Sequence, residues 1–145
     1  MTLPLADASF SPGVHAADWR AAVRAAGVDL VHSGAVGRAY VDEMVRQIDD
    51  SGPYCVVAPG VAVPHARASA VVRRDALAIV VLDAPVPFGH PHHDPVRVVV
   101  GLAATSPRGH LRMLAELANE LDRPGVIDRL AAAATREEAL AALSA

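Results

Sequence analysis

The sequence predicts an α/β domain in which a sheet lies between layers of helices. Three observations predict it. Two apolar runs, Ala76 to Leu82 (ALAIVVL) and Val96 to Leu102 (VRVVVGL), are nearly continuous over strand length, as in strands covered on both faces. The segments before and after them carry apolar residues at helical spacing. The order of elements is helices, then strands, then helices, and each apolar face has to be buried against another layer. Strand order does not follow from this pattern.

The first helix is predicted over Asp18 to His32, with Trp19, Ala22, Val23, Ala26 and Leu30 on one face. Asp18 is placed to cap it and Ser33-Gly34 to stop it. A second helix runs from Arg38 to Ile48, with Ala39, Val41, Met44, Val45 and Ile48 inward, and ends before Ser51-Gly52-Pro53. Tyr54 to Ala58 and Val61 to Val63 read as short strands separated by Pro59-Gly60. After the two long apolar runs come three more helices. The first, Pro107 to Leu121, has Thr105 or Ser106 as its cap. Pro124 to Ala133 has a proline near its start, and Thr135 to Leu143 opens on a capping box, Thr135-x-x-Glu138. Pro85 to Pro95, with four prolines and a glycine, is a loop. Residues 1–13 carry no pattern and read as an N-terminal extension of one domain spanning 1–145, since roughly 100–200 residues suffice for a domain.

Composition narrows the function. Hydrophobic residues make up 52% and aromatics 3%, so the core is Ala, Val and Leu and disorder is excluded. The net charge of -3 gives no general attraction for nucleic acid. All 13 basic residues are Arg, which excludes a Schiff-base or P-loop lysine. A lone cysteine, Cys55, excludes an internal disulfide and reads as core within its apolar run. No apolar stretch approaches the roughly 20 residues of a membrane span, and Met1 to Ser11 lacks the basic start and apolar block of a secretory signal. The expected place of work is the cytoplasm.

The seven histidines separate by context. His65 follows Pro64 at the point where a buried strand meets a loop, a common position for functional groups in α/β sheets. At neutral pH much of an imidazole population is unprotonated and nucleophilic. Arg67, two residues on, has the geometry to grip an anion with paired hydrogen bonds. A nucleophilic His beside an Arg suits a phosphoryl acceptor; local sequence equally fits a loop histidine with a solvated arginine. His110 falls in the first turn of the Pro107 helix, where free backbone N–H groups and the dipole welcome anions and keep an imidazole neutral. Meeting in space, His65 would attack phosphorus while His110 and helix N–H groups held the oxygens; otherwise His110 points into solvent.

His90-Pro91-His92-His93-Asp94 invites a metal reading, and a small metal enzyme using these histidines and His65 is a competing class. Adjacent His92 and His93 diverge in an extended loop, however, and tetrahedral sites draw ligands from separated pairs. A proline-stiffened surface loop is the expectation, with no metal or cofactor. His15 and His32 read as surface residues, and Asp49 and Asp50 as helix-end carboxylates. Walker, Rossmann, Gly-x-Ser-x-Gly and HExxH patterns are absent. A chain handling phosphate without a nucleotide motif has to receive it from another protein, and phosphoryl transfer asks mainly for alignment and charge stabilisation.

The run Pro53 to Arg67 (PYCVVAPGVAVPHAR) resembles the active-site segment of IIA components of bacterial phosphotransferase systems, in the mannitol/fructose branch and nearest its ascorbate type. Pro87-Phe88-Gly89, Asp94-Pro95-Val96, Val100 to Thr105 (VGLAAT), Gly109-His110-Leu111 and Leu114 to Ala118 agree with it, and the similarity spans roughly residues 14–143. The resemblance implies a three-layer α/β/α domain with a mixed sheet. It implies a phosphocarrier that takes phosphate from the phosphohistidine protein HPr onto His65 Nε2. From there phosphate passes to a IIB component, usually on a cysteine, and to sugar entering through a membrane IIC component. His110 matches the family's second active-site histidine. Some branches place an arginine in the loop before the motif. Here that loop is Asp49 to Pro53 with only Arg46 nearby, which leaves the charge-stabilising arginine open, with Arg67 as one candidate. A regulatory domain of the same fold, phosphorylated as a signal, is the alternative.

Overall fold

A computed structural model describes residues 3–144; residues 1, 2 and 145 of the expected domain lie outside it. The chain forms β1 (Ser9–Val14), α1 (Trp19–His32), α2 (Ala39–Ser51), β2 (Val56–Ala58), β3 (Val61–Ala62), β4 (Ala76–Val86), β5 (Val96–Ala103), α3 (Pro107–Leu121), α4 (Val126–Ala132) and α5 (Arg136–Ser144). The sheet order is β1-β4-β5-β3-β2. β1 and β4 are parallel, as are β3 and β5; β4 with β5 and β2 with β3 are antiparallel. The sheet is mixed.

Two separate cores cover its faces. Ala78, Val80 and Leu82 of β4 and Val96, Val99 and Ala103 of β5 pack with α1 and α2. Leu77, Ile79, Val98, Val100 and Leu102 pack with α3, α4 and α5. The alternation over Ala76–Leu82 and from Val98 onward follows from the pleat, Val96 being set off from it by the register shift in the β4–β5 pairing, and burial on both sides explains why these strands read as continuous apolar runs. α1 lies close against β5 because position 101 is glycine: a Cβ there would stand 3.0 Å from the Ala26 Cβ. Likewise a Cβ on Gly27 would stand 2.8 Å from a Val41 methyl, so α1 and α2 also meet closely.

The predicted caps form in part. Asp18 accepts the Ala21 N–H at 2.9 Å, and Ser106 accepts the Gly109 N–H at 3.0 Å. Thr105, the other candidate, binds Asp75 instead through its N–H and hydroxyl. At α5, Thr135 accepts the Glu138 N–H while the Glu138 carboxylate reaches back to the Ala134 N–H.

Several boundaries differ from expectation, these three among them. Residues 9–14 form an edge strand of the sheet, where the sequence reads as an N-terminal extension without pattern. Pro12-Gly13 conceals it, but a register shift between Ser11 and Val14 accommodates a proline without an N–H and a glycine at φ 62°. β4 continues to Val86, past Pro85, through a second irregularity in its pairing with β5. α4 starts at Val126 rather than Pro124, because Gly125 is left-handed at φ 81°.

Candidate functional site

β3 and β5 run parallel, so their C-terminal ends reach the same pole of the sheet. Beyond β3 the chain still touches β5: the Leu102 N–H donates to the Pro64 carbonyl at 3.1 Å, and His65 bridges to Leu102. His65 therefore stands at the strand tip, half-buried. β5 leads through Thr105 directly into α3, whose first turn carries His110 to the same place. The two imidazole centroids are 4.8 Å apart with ring planes at 63°. They line a solvent-open hollow of about 370 Å³ together with Gln47, Arg67, Pro107 and Leu111.

The tautomer of His65 is fixed from below. Its Nδ1 lies 2.8 Å from the Val63 carbonyl, which only accepts, so Nδ1 carries the proton. Nε2 keeps its lone pair. His110 is held neutral: its pKa is lowered, first by burial and then by repulsion from the His65 ring. Its Nδ1 is buried without a partner. A bare lone pair costs less there than a bare N–H, so the proton belongs on Nε2, the other nitrogen of a ring that borders the hollow.

Tyr40 braces the whole arrangement. Fully buried on α2, its hydroxyl donates to the Leu102 carbonyl at 2.7 Å and accepts the Ala66 N–H at 3.0 Å. One oxygen thus ties the strand end to the residue after His65. Burial pushes its pKa up to about 12, so it stays a hydroxyl.

The structure revises the expected role of the α3 N-terminus. Pro107 has no N–H, the Gly109 N–H is taken by Ser106, and the His110 N–H bonds the Ser106 carbonyl at 2.9 Å. Of the first four helical positions only Arg108 retains a free candidate, so His110 contributes its ring rather than a nest of amides. Arg67 borders the hollow at its exposed rim. Arg46 does not: it pairs with Glu43 on the exposed side of α2. The residue α2 does send to the hollow is Gln47, which sequence inspection passed over together with Tyr40. Helical spacing supplies the signal: both lie on one side of α2, seven residues or about two turns apart.

The other candidates sit elsewhere. The His90 loop lies at the start of β3, where the Gly60 N–H binds the His93 carbonyl at 2.9 Å, at the opposite end from His65. His90 Nδ1 accepts the N–H groups of His92 and His93, both at 3.1 Å, and the His90 and His93 rings stack 4.5 Å apart. The Asp94 carboxylate is occupied by the N–H groups of Phe88, Gly89 and His90. The loop thus spends most of these polar atoms on itself, while His93 Nδ1 is buried without a hydrogen-bond partner; among the described residues no three His, Cys, Asp or Glu side chains converge as metal ligands. His15 faces Asp83 across 3.3 Å in the open, and His32 is exposed. Cys55 is buried, with its thiol pushed up to about 12 by burial, and is inert as a nucleophile.

Residues 5–145 match the family described as the phosphoenolpyruvate-dependent sugar phosphotransferase system, EIIA 2. The chain belongs to the EIIA 2 family. It is 34% identical over 124 residues to the ascorbate-specific PTS EIIA component of Shigella boydii, covering 84% of this chain and 80% of that one. Its fold matches the Escherichia coli mannitol IIA, solved in complex with phosphorylated IIB, with a TM-score of 0.81 and 30% identity over 94% of each chain. It also matches the nitrogen regulatory protein IIA-Ntr of Neisseria meningitidis, with a TM-score of 0.79 and 26% identity over 98% of this chain and 96% of that one. Among the described residues no helix is long and apolar enough to cross a membrane.

Proposed function

We propose that this single-domain chain is a cytoplasmic phosphocarrier that accepts a phosphoryl group on His65 Nε2 from phosphorylated HPr. It passes the group to a IIB component, coupled through a IIC permease to uptake of a sugar. The observation carrying this reading is the Val63–His65 hydrogen bond, which leaves the Nε2 lone pair in an open hollow against a neutral His110.

The atoms balance simply. The Nε2 lone pair attacks phosphorus as the P–N bond to the donor histidine breaks, and its electron pair returns to the donor ring. The Nδ1 proton stays against the Val63 carbonyl, so the phosphorylated ring retains positive character and remains a good leaving group. In the second transfer the acceptor cysteine attacks phosphorus and the pair returns to Nε2. Little covalent chemistry is asked of the protein beyond alignment and charge stabilisation. His110 Nε2–H serves the phosphoryl oxygens and Arg67 supplies a cation from the rim. Leu111 and Tyr54, 70% and 82% exposed on either side of His65, offer the apolar contact that a transient partner needs.

Incubation with radiolabelled phospho-HPr tests the reading. The wild-type chain takes up label and His65→Ala takes up none; label on His65→Ala at the wild-type rate overturns the assignment. Likeness to a nitrogen regulatory IIA supports a second reading, phosphorylation as a signal. A IIB or IIC reading frame beside this gene favours transport, and its absence favours the signal.

A further inference from the structure

The phosphoryl site lacks an internal cation. Arg67 stands at the rim, Arg46 faces away in a pair with Glu43, and His110 is neutral. What α2 contributes is an amide. Gln47 and His65 are the two residues that border both the main hollow and a second, narrower cleft of about 60 Å³ running toward Cys55. Gln47 therefore flanks the imidazole from the α2 side as His110 flanks it from α3. Its side chain is half-buried, and among the described residues it forms no hydrogen bond. Three other polar side chains of α2 are already engaged: Asp42 with Arg24, Glu43 with Arg46, and Asp49 with Arg20. A half-buried amide held at a functional hollow with both N–H groups unspent is available to a ligand that brings acceptor oxygens.

We infer that Gln47 is a catalytic residue of this site, donating its carboxamide N–H to an oxygen of the phosphoryl group as it arrives on His65 Nε2. This rests on the phosphocarrier reading for the identity of the group, but the test does not depend on HPr. The arrangement gives the transferring group two neutral donors at one hollow, His110 from α3 and Gln47 from α2. A neutral donor aimed at the phosphoryl oxygens stabilises their spread negative charge.

The experiment uses potassium phosphoramidate as a small phosphoryl donor on the full chain. Nε2 attacks phosphorus, the donor P–N bond breaks, and ammonia leaves with a solvent proton. Gln47→Glu keeps shape but loses both donors and adds like charge; Gln47→Arg keeps donors. Losing a hydrogen bond to a charged group lowers rate by roughly 10- to 100-fold, so Gln47→Glu slows His65 phosphorylation by at least about that lower bound. Gln47→Arg stays within about threefold of wild type, and melting curves confirm that both variants fold. A wild-type rate for Gln47→Glu overturns the inference. So does a Gln47→Arg rate as low as that of Gln47→Glu, which would mark the position as structural. Wild-type protein that phosphoramidate does not label at all overturns it too. If phosphoramidate labels His65 while phospho-HPr does not, the phosphocarrier reading fails and the variant series still decides Gln47.

Discussion

Replacing Tyr40 with phenylalanine removes a single oxygen and changes nothing else in the buried volume. That oxygen holds the Leu102 carbonyl at 2.7 Å and the Ala66 N–H at 3.0 Å, with the side chain 1% exposed. Water does not reach the two backbone groups it leaves behind. A buried polar group stripped of its partner costs about 1–3 kcal/mol. At this chain length melting temperature falls by about 3–4 °C per kcal/mol, so Tyr40→Phe melts roughly 3–12 °C lower. The functional effect follows from position. The lost Ala66 contact frees the residue next to His65, so the imidazole samples more orientations and phosphoryl acceptance slows by about 10-fold, far less than removing His65 itself. Thermal denaturation by circular dichroism and single-turnover labelling measure the two effects. A variant that melts within about 1 °C of wild type and accepts phosphate at an unchanged rate refutes the claim that Tyr40 aligns the site.

Three further outcomes follow from the same geometry. Gly101→Ala drives a Cβ to 3.0 Å from that of Ala26, a contact that no side-chain rotation relieves and only a backbone shift can, and costs about 1–3 kcal/mol in thermal unfolding. His110 has a folded-state pKa below the ordinary 6.5, so the stability its neutral form contributes is complete above that value and is lost as pH falls toward the folded value. Denaturant unfolding from about pH 7 to pH 5 therefore shows a shallower decline for His110→Gln than for wild type. Leu111→Asp places a charge on the exposed apolar rim and raises KM for phospho-HPr about 5- to 30-fold, measured by initial-rate labelling.

Much of this was legible in the residues. The long buried strands announced themselves through continuous apolar runs, and α1 and α3 through helical spacing and the Asp18 and Ser106 caps. β1 stayed hidden because an edge strand tolerates the Pro12-Gly13 pair that a reader takes for a loop, and because none of its six residues is fully buried. His65 and His110 were legible as individual residues, and the resemblance paired them. Their 4.8 Å separation depends on β3 and β5 running parallel, which no local pattern encodes. Tyr40 and Gln47 were missed for a related reason. The inward face of α2 is set by how the helix lies across the sheet, so a tyrosine among apolar residues looks like core and a glutamine looks like surface. The anion-binding helix start was overread, since Pro107 and the Ser106 cap remove the very amides that the reading relied on.

The central claim is that His65 receives the phosphoryl group on Nε2 while Nδ1 keeps its proton. Long-range proton–nitrogen NMR on histidine-labelled protein, before and after phosphorylation by phospho-HPr, tests it most directly. The account predicts a free His65 protonated on Nδ1 and a phosphorylated one with phosphorus coupled to Nε2. Phosphorus on Nδ1, or on any other residue, contradicts it.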